Sequence, residues 1–395
     1  MDEKLLQELK EIIKGDIAID EQTLSHFSHD ASLFEVKPAV VVYPKDQEDV
    51  EALVTFVHKH KKDVPELSLT GRSAGTDMSG GAINDSIIVA FGKYFNHTPT
   101  VSGNIATTEP GVFYRDFEKE TLKQNLIFPS YPASREICAM GGIVNNNSGG
   151  EKSLQYGKTE NYVKRMKVVL RDGKTYEIKP LTEAALLEKM SLENVEGEIY
   201  KKMHALIMEH KDAIMQAKPN VSKNSAGYYL WNIWDEEKKV FDLTKLWVCA
   251  QGTLGMLLEA DIELVPVHTH REMMIIFLHD FSSLAQVIND VLPLQPESFE
   301  GYDDNTFKLA LRYFPEFAKL LGTKGMMQTG FSFLPEFFTV LFKGVPKLVL
   351  QVDFTGNNLQ ELQEKITLLK EKLKPLQVLS IKHDVTIIPV VQISK

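Results

Sequence analysis

The stretch Thr70–Ala82 reads TGRSAGTDMSGGA, and it decides how the N-terminal part of this chain folds. Two short apolar runs, residues 67–69 and 87–91, flank it and predict strands on either side of a loop. Glycines in such a loop leave backbone N–H groups unshielded, so consecutive amides can surround a phosphate group. The loop has neither the G-K-[ST] of a Walker loop nor a G-x-G-x-x-G that opens a helix. It therefore predicts a different anion-binding loop, with a tight surface turn as the alternative.

Two further glycine-rich segments follow in the same part of the chain. Residues 129–150 read PSYPASREICAMGGIVNNNSGG, and residues 250–257 read AQGTLGML. The first could wrap a large polar ligand or form an irregular buried crossover, and the second alone would more often serve packing. Because three such loops occur within one proposed domain, a phosphate-containing, extended cofactor explains them together.

Composition excludes several classes of protein. The 395 residues suit two or three domains, and 43% hydrophobic with 25% charged residues is typical of a globular protein. A formal net charge of −10 disfavours a general nucleic-acid binder. The acidic N-terminal segment does not resemble a signal peptide, and two cysteines make no disulfide framework. We expect a cytoplasmic chain, with peripheral attachment at the inner membrane as the alternative.

The order of predicted elements divides the chain near residue 268. Short strands and helices alternate up to that point, with a helix-rich insertion at about 181–230. Beyond it, strand and helix patterns alternate again, and leucines and isoleucines at helical spacing predict an amphipathic helix over 359–373. The aromatic segment 331–342 could touch a membrane, although its spacing favours packing within the protein.

The motifs, in their order along the chain, resemble a known family. R-S-A-G-T-x-x-S-G-G, P-A-S, G-G, N-N-x-S-G-G, Y-G-K-T and G-T-L-G follow one another as in the FAD-binding domain of the vanillyl-alcohol oxidase and p-cresol methylhydroxylase (PCMH) class. Within that class, the chain looks most like the D-lactate dehydrogenase and glycolate oxidase D-subunit group. The resemblance covers roughly residues 25–270. It implies an α+β fold, with a two-subdomain PCMH-type FAD-binding domain at 1–268 and a partial, ferredoxin-like cap domain at 269–395.

The resemblance also implies which residues bind the cofactor. The first loop would hold the diphosphate, and the P-A-S segment would lie by the isoalloxazine ring or its linker. The G-G and N-N-x-S-G-G segments would line the ribityl and diphosphate path, and the last loop would complete the adenine and ribityl contacts. In that order, the residues are Arg72, Ser73, Ala74, Gly75, Thr76, Asp77, Ser79 and Gly80; Pro132, Ala133 and Ser134; Gly141, Gly142, Asn145, Asn147, Ser148 and Gly149; and Gln251, Gly252, Thr253 and Gly255.

Some positions depart from the family pattern. Asp77 stands where the family commonly has a second glycine, and a carboxylate near a diphosphate costs energy unless it points away or is paired. Covalent members carry a histidine in the first loop, where this chain has Thr76, so the resemblance implies non-covalent FAD. The chain ends at Lys395 without the histidine-rich segment with which the family continues. This implies either a fragment of a longer protein or a member that has lost that part of its site.

The implied function is that of an FAD-dependent dehydrogenase of a D-2-hydroxy acid such as D-lactate, with hydride transfer to flavin N5 and a quinone or carrier protein as electron acceptor. The alternative is a non-catalytic or truncated FAD-binding subunit of such an oxidase complex. A third reading, an alkyl-transferring flavoenzyme, is not required by any motif. Arg271, Arg312 and Lys347 are candidates to bind a substrate carboxylate, and the sequence identifies no catalytic base. His268 and His270 share a strand face without an acid or cysteine cluster, so we expect no metal site.

Overall fold

The structure is a computed structural model that describes residues 2–221, 224, 227–310, 312–313, 316, 344–376 and 379–384. Internal contacts divide the chain into two units. The first comprises Met1–Gly150 and Gly157–Val267, and the second comprises Glu151–Tyr156 and the described residues from His268 onward.

Helices and strands alternate along most of the described chain. The α-helices are α1 (Glu3–Ile12), α2 (Glu21–Phe27), α3 (Gln47–His60), α4 (Tyr114–Leu122), α5 (Met140–Asn145), α6 (Ser153–Tyr156), α7 (Glu183–Ser191), α8 (Val195–Glu209), α9 (Lys211–Ala217), α10 (Thr244–Trp247), α11 (Leu284–Val291) and α12 (Leu359–Leu373). The strands are β1 (Asp16–Ala18), β2 (Val40–Tyr43), β3 (Leu69–Arg72), β4 (Ile87–Ala90), β5 (Thr100–Ser102), β6 (Ile105–Thr108), β7 (Leu126–Ile127), β8 (Val163–Val169), β9 (Thr175–Ile178), β10 (Leu181–Thr182), β11 (Trp234–Asp235), β12 (Val240–Phe241), β13 (Met256–Glu263), β14 (Val265–Pro266), β15 (His270–Leu278), β16 (Ser298–Asp303), β17 (Leu348–Gly356) and β18 (Leu379–Asp384).

The first sheet of unit 1 has the order β1-β2-β4-β3, and its last three strands are parallel. The valines of β2 are fully buried, as expected for a parallel strand that is covered on both faces. Helices α1 and α3 pack on one face through Leu9 and Leu53, and α2 covers the other face through Leu24. The glycine-rich loop leaves this sheet at the end of β3 and returns at β4.

The carboxylate of Asp49, in the first turn of α3, holds two chain segments at one edge of this sheet. It is buried and accepts backbone N–H bonds from Lys14 at 2.8 Å, Gly15 at 2.9 Å and Lys45 at 2.7 Å. A buried carboxylate needs such partners, since an unpaired one is costly. Asp49 thereby fixes the N-terminal helix beside the β2–α3 junction.

The second sheet of unit 1 is antiparallel, with the order β5-β6-β13-β8-β9. Strands β8 and β9 form a hairpin, and β13 lies between β6 and β8. Met256 and Leu258 of β13 join the core cluster of the first sheet, so the two sheets share one hydrophobic core. Helices α7 to α9 follow the hairpin, and side chains of Thr182 and Asn194 cap the first two of them.

Unit 2 is built on an antiparallel sheet with the order β16-β17-β15-β18. Helices α11 and α12 cover one face of this sheet. Val287 of α11 and Leu362, Ile366 and Leu369 of α12 pack against Ile276 and its neighbours. The aromatic segment 331–342 lies outside the described residues.

Candidate functional site

A cavity of about 510 Å³ lies within unit 1, where the three glycine-rich loops meet. This volume falls within the range of small-molecule and cofactor sites. The cavity is lined by Gly71, Ser73, Ala74, Gly75, Thr76, Asp77, Met78, Gly81, Ala82, Phe91, Pro110, Pro132, Ala133, Ser134, Cys138, Ala139, Gly141, Gly142, Ile143, Asn145, Asn146, Ser148, Gln251, Gly252, Gly255, Met256 and Leu257.

The first loop folds tightly over a buried arginine. Gly75 has a φ of +69°, a conformation that favours glycine, and a Cβ atom there would lie 2.5 Å from Nη2 of Arg72. The absence of a side chain therefore allows the loop backbone to pass directly over the guanidinium group. As a result, the residues that follow β3 turn toward the cavity while Arg72 stays behind them.

The guanidinium of Arg72 is buried and does not line the cavity. Its Nη1 donates to the carbonyl oxygen of Phe27 at 3.3 Å, and the group lies 4.9 Å from the centre of the Phe27 ring. Desolvation lowers the pKa of Arg72, and the nearby charge of Asp30 partly opposes this effect. The arginine is thus a buried cation beneath the loop that bends over it.

Asp77 lies in the same loop and lines the cavity. Its Oδ2 accepts a hydrogen bond from the backbone N–H of Gly81 at 2.6 Å and another from Oγ of Ser79 at 2.8 Å. The sequence left open whether this carboxylate points away or is paired. The structure shows that it is paired within its own loop and closes the turn 77–81.

The second loop approaches the first where Gly141 has no side chain. A Cβ atom on Gly141 would lie 2.5 Å from both Oγ of Ser73 and Cβ of Pro110. The next residue, Gly142, behaves differently, because a Cβ atom there would have no neighbour within 4 Å. Both glycines lie in α5, so one side of this short helix is packed and the other faces open space at the cavity.

The third loop is joined to the second by a backbone bond. The N–H of Gln251 donates to the carbonyl oxygen of Asn145 at 2.9 Å. Thr253 is turned away from the cavity, since its hydroxyl donates to the carbonyl of Ala250 at 2.6 Å and lies 2.8 Å from the hydroxyl of Tyr228. The three loops therefore form one connected wall.

A polar pair, in which Asn147 is buried and Glu160 is half-buried, supports the second loop from behind. Nδ2 of Asn147 donates to Oε2 of Glu160 at 2.7 Å, and the N–H of Glu160 donates to Oδ1 of Asn147 at 3.0 Å. Burial raises the pKa of the Glu160 carboxyl, and the bond from Asn147 partly opposes this shift. Because both ends of its amide are engaged, Asn147 orients the loop and does not face the cavity.

Most of the residues assigned from the sequence come together around this cavity. The assigned residues that line the cavity come from all four motif groups. Six of the assigned residues do not line it. The six are Arg72, Ser79, Gly80, Asn147, Gly149 and Thr253.

Several lining residues could not be assigned from the motifs. Phe91 ends the apolar run 87–91 and Cys138 lies within the second glycine-rich segment, but neither they nor Pro110 belong to a motif of the family. Met256 and Leu257 directly follow G-T-L-G and begin β13, whose first three residues are all apolar and buried, so alternation does not distinguish between them. Burial raises the pKa of the Cys138 thiol, so this thiol is a weak nucleophile in the absence of a ligand.

Comparison with protein families gives a direct match to this part of the chain. A family model described as an FAD-binding domain matches residues 38–179, a range that contains the first two loops. Residues 38–179 are therefore similar to an FAD-binding domain. The match confirms the cofactor class implied by the motifs, and the α+β fold is confirmed as well.

The lining of the cavity fits FAD. Cβ positions at Gly142 and Gly252 are open, so the backbone on two sides can approach a ligand closely. Phe91, Ile143 and Leu257 offer apolar surface for a flat ring. The hydroxyls and amides elsewhere in the lining suit the polar remainder of a dinucleotide.

Similar proteins of known sequence are named as dehydrogenases or as an oxidase subunit. The D-2-hydroxyglutarate dehydrogenase of Pantoea ananatis is 25% identical over 298 residues, which are 75% of this chain and 29% of that protein. The glycolate oxidase subunit GlcD of Bacillus subtilis is 24% identical over 71% of this chain and 49% of its own length. The D-lactate dehydrogenase of Archaeoglobus fulgidus is 31% identical over 34% of this chain and 30% of its own length. The chain thus spans less than half the length of these relatives.

A solved structure of alkyldihydroxyacetonephosphate synthase has a similar fold. The TM-score is 0.66 at 16% sequence identity, and the match covers 96% of this chain and 60% of the other. At this identity the likeness concerns the fold alone.

In unit 2, two of the candidate substrate-binding cations already have partners. Nε and Nη2 of Arg271 each donate to the carboxylate of Asp353 at 2.9 Å, and Nζ of Lys347 lies 3.1 Å from Oδ2 of Asp304. Arg312 lies beside the ring of Tyr313. Within the described ranges, no group of histidines, cysteines and acids could hold a metal ion, and no helix is long and apolar enough to cross a membrane.

Proposed function

We propose that this chain is the FAD-binding part of a flavin-dependent dehydrogenase that oxidises a D-2-hydroxy acid such as D-lactate or D-2-hydroxyglutarate. The observation that carries the proposal is the cavity of unit 1, because two of its three loops lie in the range 38–179, which matches an FAD-binding family. Relatives named as D-2-hydroxyglutarate dehydrogenases align with three quarters of the chain and support the substrate class.

Different residues of the cavity would bind different parts of the cofactor. Backbone amides of the first loop around Gly75 would hold the diphosphate, with the buried charge of Arg72 beneath them. Pro132, Ala133 and Ser134 would lie at the ring, and the apolar side chains around Leu257 would exclude water from it. When bound, FAD supplies the acceptor for the hydride that leaves the α carbon of the substrate. The attachment would be non-covalent, since Thr76 stands in the loop position of the covalent members.

The proposal extends to domains and partners. Residues 1–268 would hold FAD, with the insertion at about 181–230, and residues 269–395 would form part of the substrate or cap domain. Electrons would pass to a quinone or a carrier protein, with a partner subunit or a peripheral site at the inner membrane as the place of transfer. We also propose that the chain lies in the cytoplasm.

The test begins with the visible spectrum of the purified chain. A flavin absorption band that is released on denaturation would support non-covalent FAD. The oxidised protein is then mixed without oxygen with D-lactate, D-2-hydroxyglutarate or, as the matched control, L-lactate. Bleaching of the flavin by a D-acid but not by L-lactate is expected for a dehydrogenase of this class.

The second candidate is a non-catalytic FAD-binding subunit. Arg271 favours it, because both Nε and Nη2 of its guanidinium are bonded to the buried carboxylate of Asp353. This candidate predicts bound flavin that no D-2-hydroxy acid bleaches. Absence of bound flavin would contradict both candidates.

A further inference from the structure

We infer that Asp77 determines which ligand charge the cavity accepts: its carboxylate weakens the binding of an anionic flavin nucleotide, and neutralising it tightens that binding. The inference rests on the proposed binding of FAD in this cavity.

The first observation is the charge of the lining. Among the described residues that line the cavity, Asp77 alone has a side chain that is charged at neutral pH. The diphosphate of FAD is also negative, and like charges in a partly enclosed cavity repel one another more strongly than in water. The remaining polar lining consists of uncharged groups such as Ser73, Thr76 and Gln251, which cannot cancel that repulsion.

The second observation is the hydrogen bonding of the carboxylate. Oδ2 of Asp77 accepts hydrogen bonds from the N–H of Gly81 at 2.6 Å and from the hydroxyl of Ser79 at 2.8 Å. Both groups are donors of the kind that a phosphate oxygen would use. Asp77 therefore competes with an anionic ligand for the donors of its own loop.

The third observation is the position of the nearest loop cation. Arg72 lies behind Gly75, is 7% exposed and does not line the cavity. Its guanidinium is engaged with the carbonyl oxygens of Phe27 and Ala82. The arginine can attract an anion through the loop, but it does not form an ion pair with Asp77, so the negative charge in the cavity lining is retained.

The experiment separates the charge of Asp77 from its role in closing the loop. Asp77→Asn keeps an oxygen that can accept the Gly81 N–H and removes the charge, whereas Asp77→Ala removes both. Asp85→Asn is the matched control, since Asp85 lies at the end of the same loop with an exposed side chain. Each apoprotein is titrated with FAD and with riboflavin, which carries no phosphate, at low and at high salt.

We expect Asp77→Asn to bind FAD at least about tenfold more tightly than the parent at low salt, and the gain to shrink as salt screens the repulsion. Riboflavin affinity should be the same in both proteins, and Asp85→Asn should behave like the parent. Equal FAD affinity of Asp77→Asn and the parent would overturn the inference, as would an equal gain for riboflavin. FAD binding by none of the variants would overturn the cofactor assignment and this inference with it.

Discussion

Gly142→Leu offers the sharpest test of whether the cavity binds FAD. It should stabilise the folded apoprotein and at the same time lower its affinity for FAD. A Cβ atom at Gly142 meets no atom within 4 Å, so the fold can accept a side chain there. Glycine within a helix is less favourable than leucine by about 0.5–1 kcal/mol, and Gly142 lies in the middle of α5. We therefore expect the free energy of unfolding of the apoprotein to rise by up to about 1 kcal/mol.

The effect on binding has the opposite sign. The new side chain would project into the cavity, and forcing extra methylenes into a packed site costs about 1–3 kcal/mol. This corresponds to an FAD dissociation constant that is about 5 to 150 times larger. Thermal unfolding of the apoprotein and fluorescence titration with FAD measure the two effects separately.

The neighbouring glycine provides the control. A Cβ atom on Gly141 would collide with Ser73 and Pro110, so Gly141→Leu should destabilise the apoprotein itself. If Gly142→Leu binds FAD as tightly as the parent, then the open side of α5 does not face the cofactor, and the reasoning about this wall of the cavity is wrong.

Three further predictions concern the same unit. Gly75→Val should abolish retention of FAD, since its side chain would collide with Arg72 and needs an unfavourable positive φ; flavin content equal to that of the parent would contradict the role of this loop. FAD should protect Cys138, which lines the cavity, from alkylation by iodoacetamide, and should leave the slow reaction of Cys249 unchanged, as peptide mass spectrometry can show. Burial raises the pKa of the Glu160 carboxyl above 4.5 in the folded state. The stability that this group contributes is therefore fully present below pH 4.5 and is lost as the pH rises through the folded-state pKa. Between these two values, the free energy of unfolding of Glu160→Gln, measured with urea, should depend less on pH than that of the parent.

Local patterns were sufficient to predict much of the fold. Arg171-Asp172-Gly173 between the apolar runs 163–170 and 175–179 is a hairpin signal, and the two strands occur as Val163–Val169 and Thr175–Ile178. The helix predicted over 359–373 occurs with the same limits. In both cases the signal lies within one segment, either as a turn flanked by apolar runs or as an amphipathic repeat.

The candidate site was predictable only in part, because motifs give positions along the chain and not the side of a loop that faces a ligand. Arg72 is the first residue of the first motif, yet it lies beneath the loop and does not line the cavity. Asn147 stands in the second motif, yet its amide is bound to Glu160. Pro110 and Phe91 reach the cavity through tertiary packing, for which a single sequence carries no local signal.

The close approach of Gly141 to Ser73 and Pro110 restricts which substitutions evolution can accept at these three positions. Three segments that are far apart in sequence share one space, so a larger residue at position 141 can be accommodated only if position 73 or 110 becomes smaller or its backbone moves. We expect these positions to covary among homologues, and a designer who wishes to reshape the cavity must exchange the loops as a set. In a double-mutant cycle, substitutions at 141 and 73 should therefore show coupling, whereas substitutions at 142 and 73 should be closer to additive.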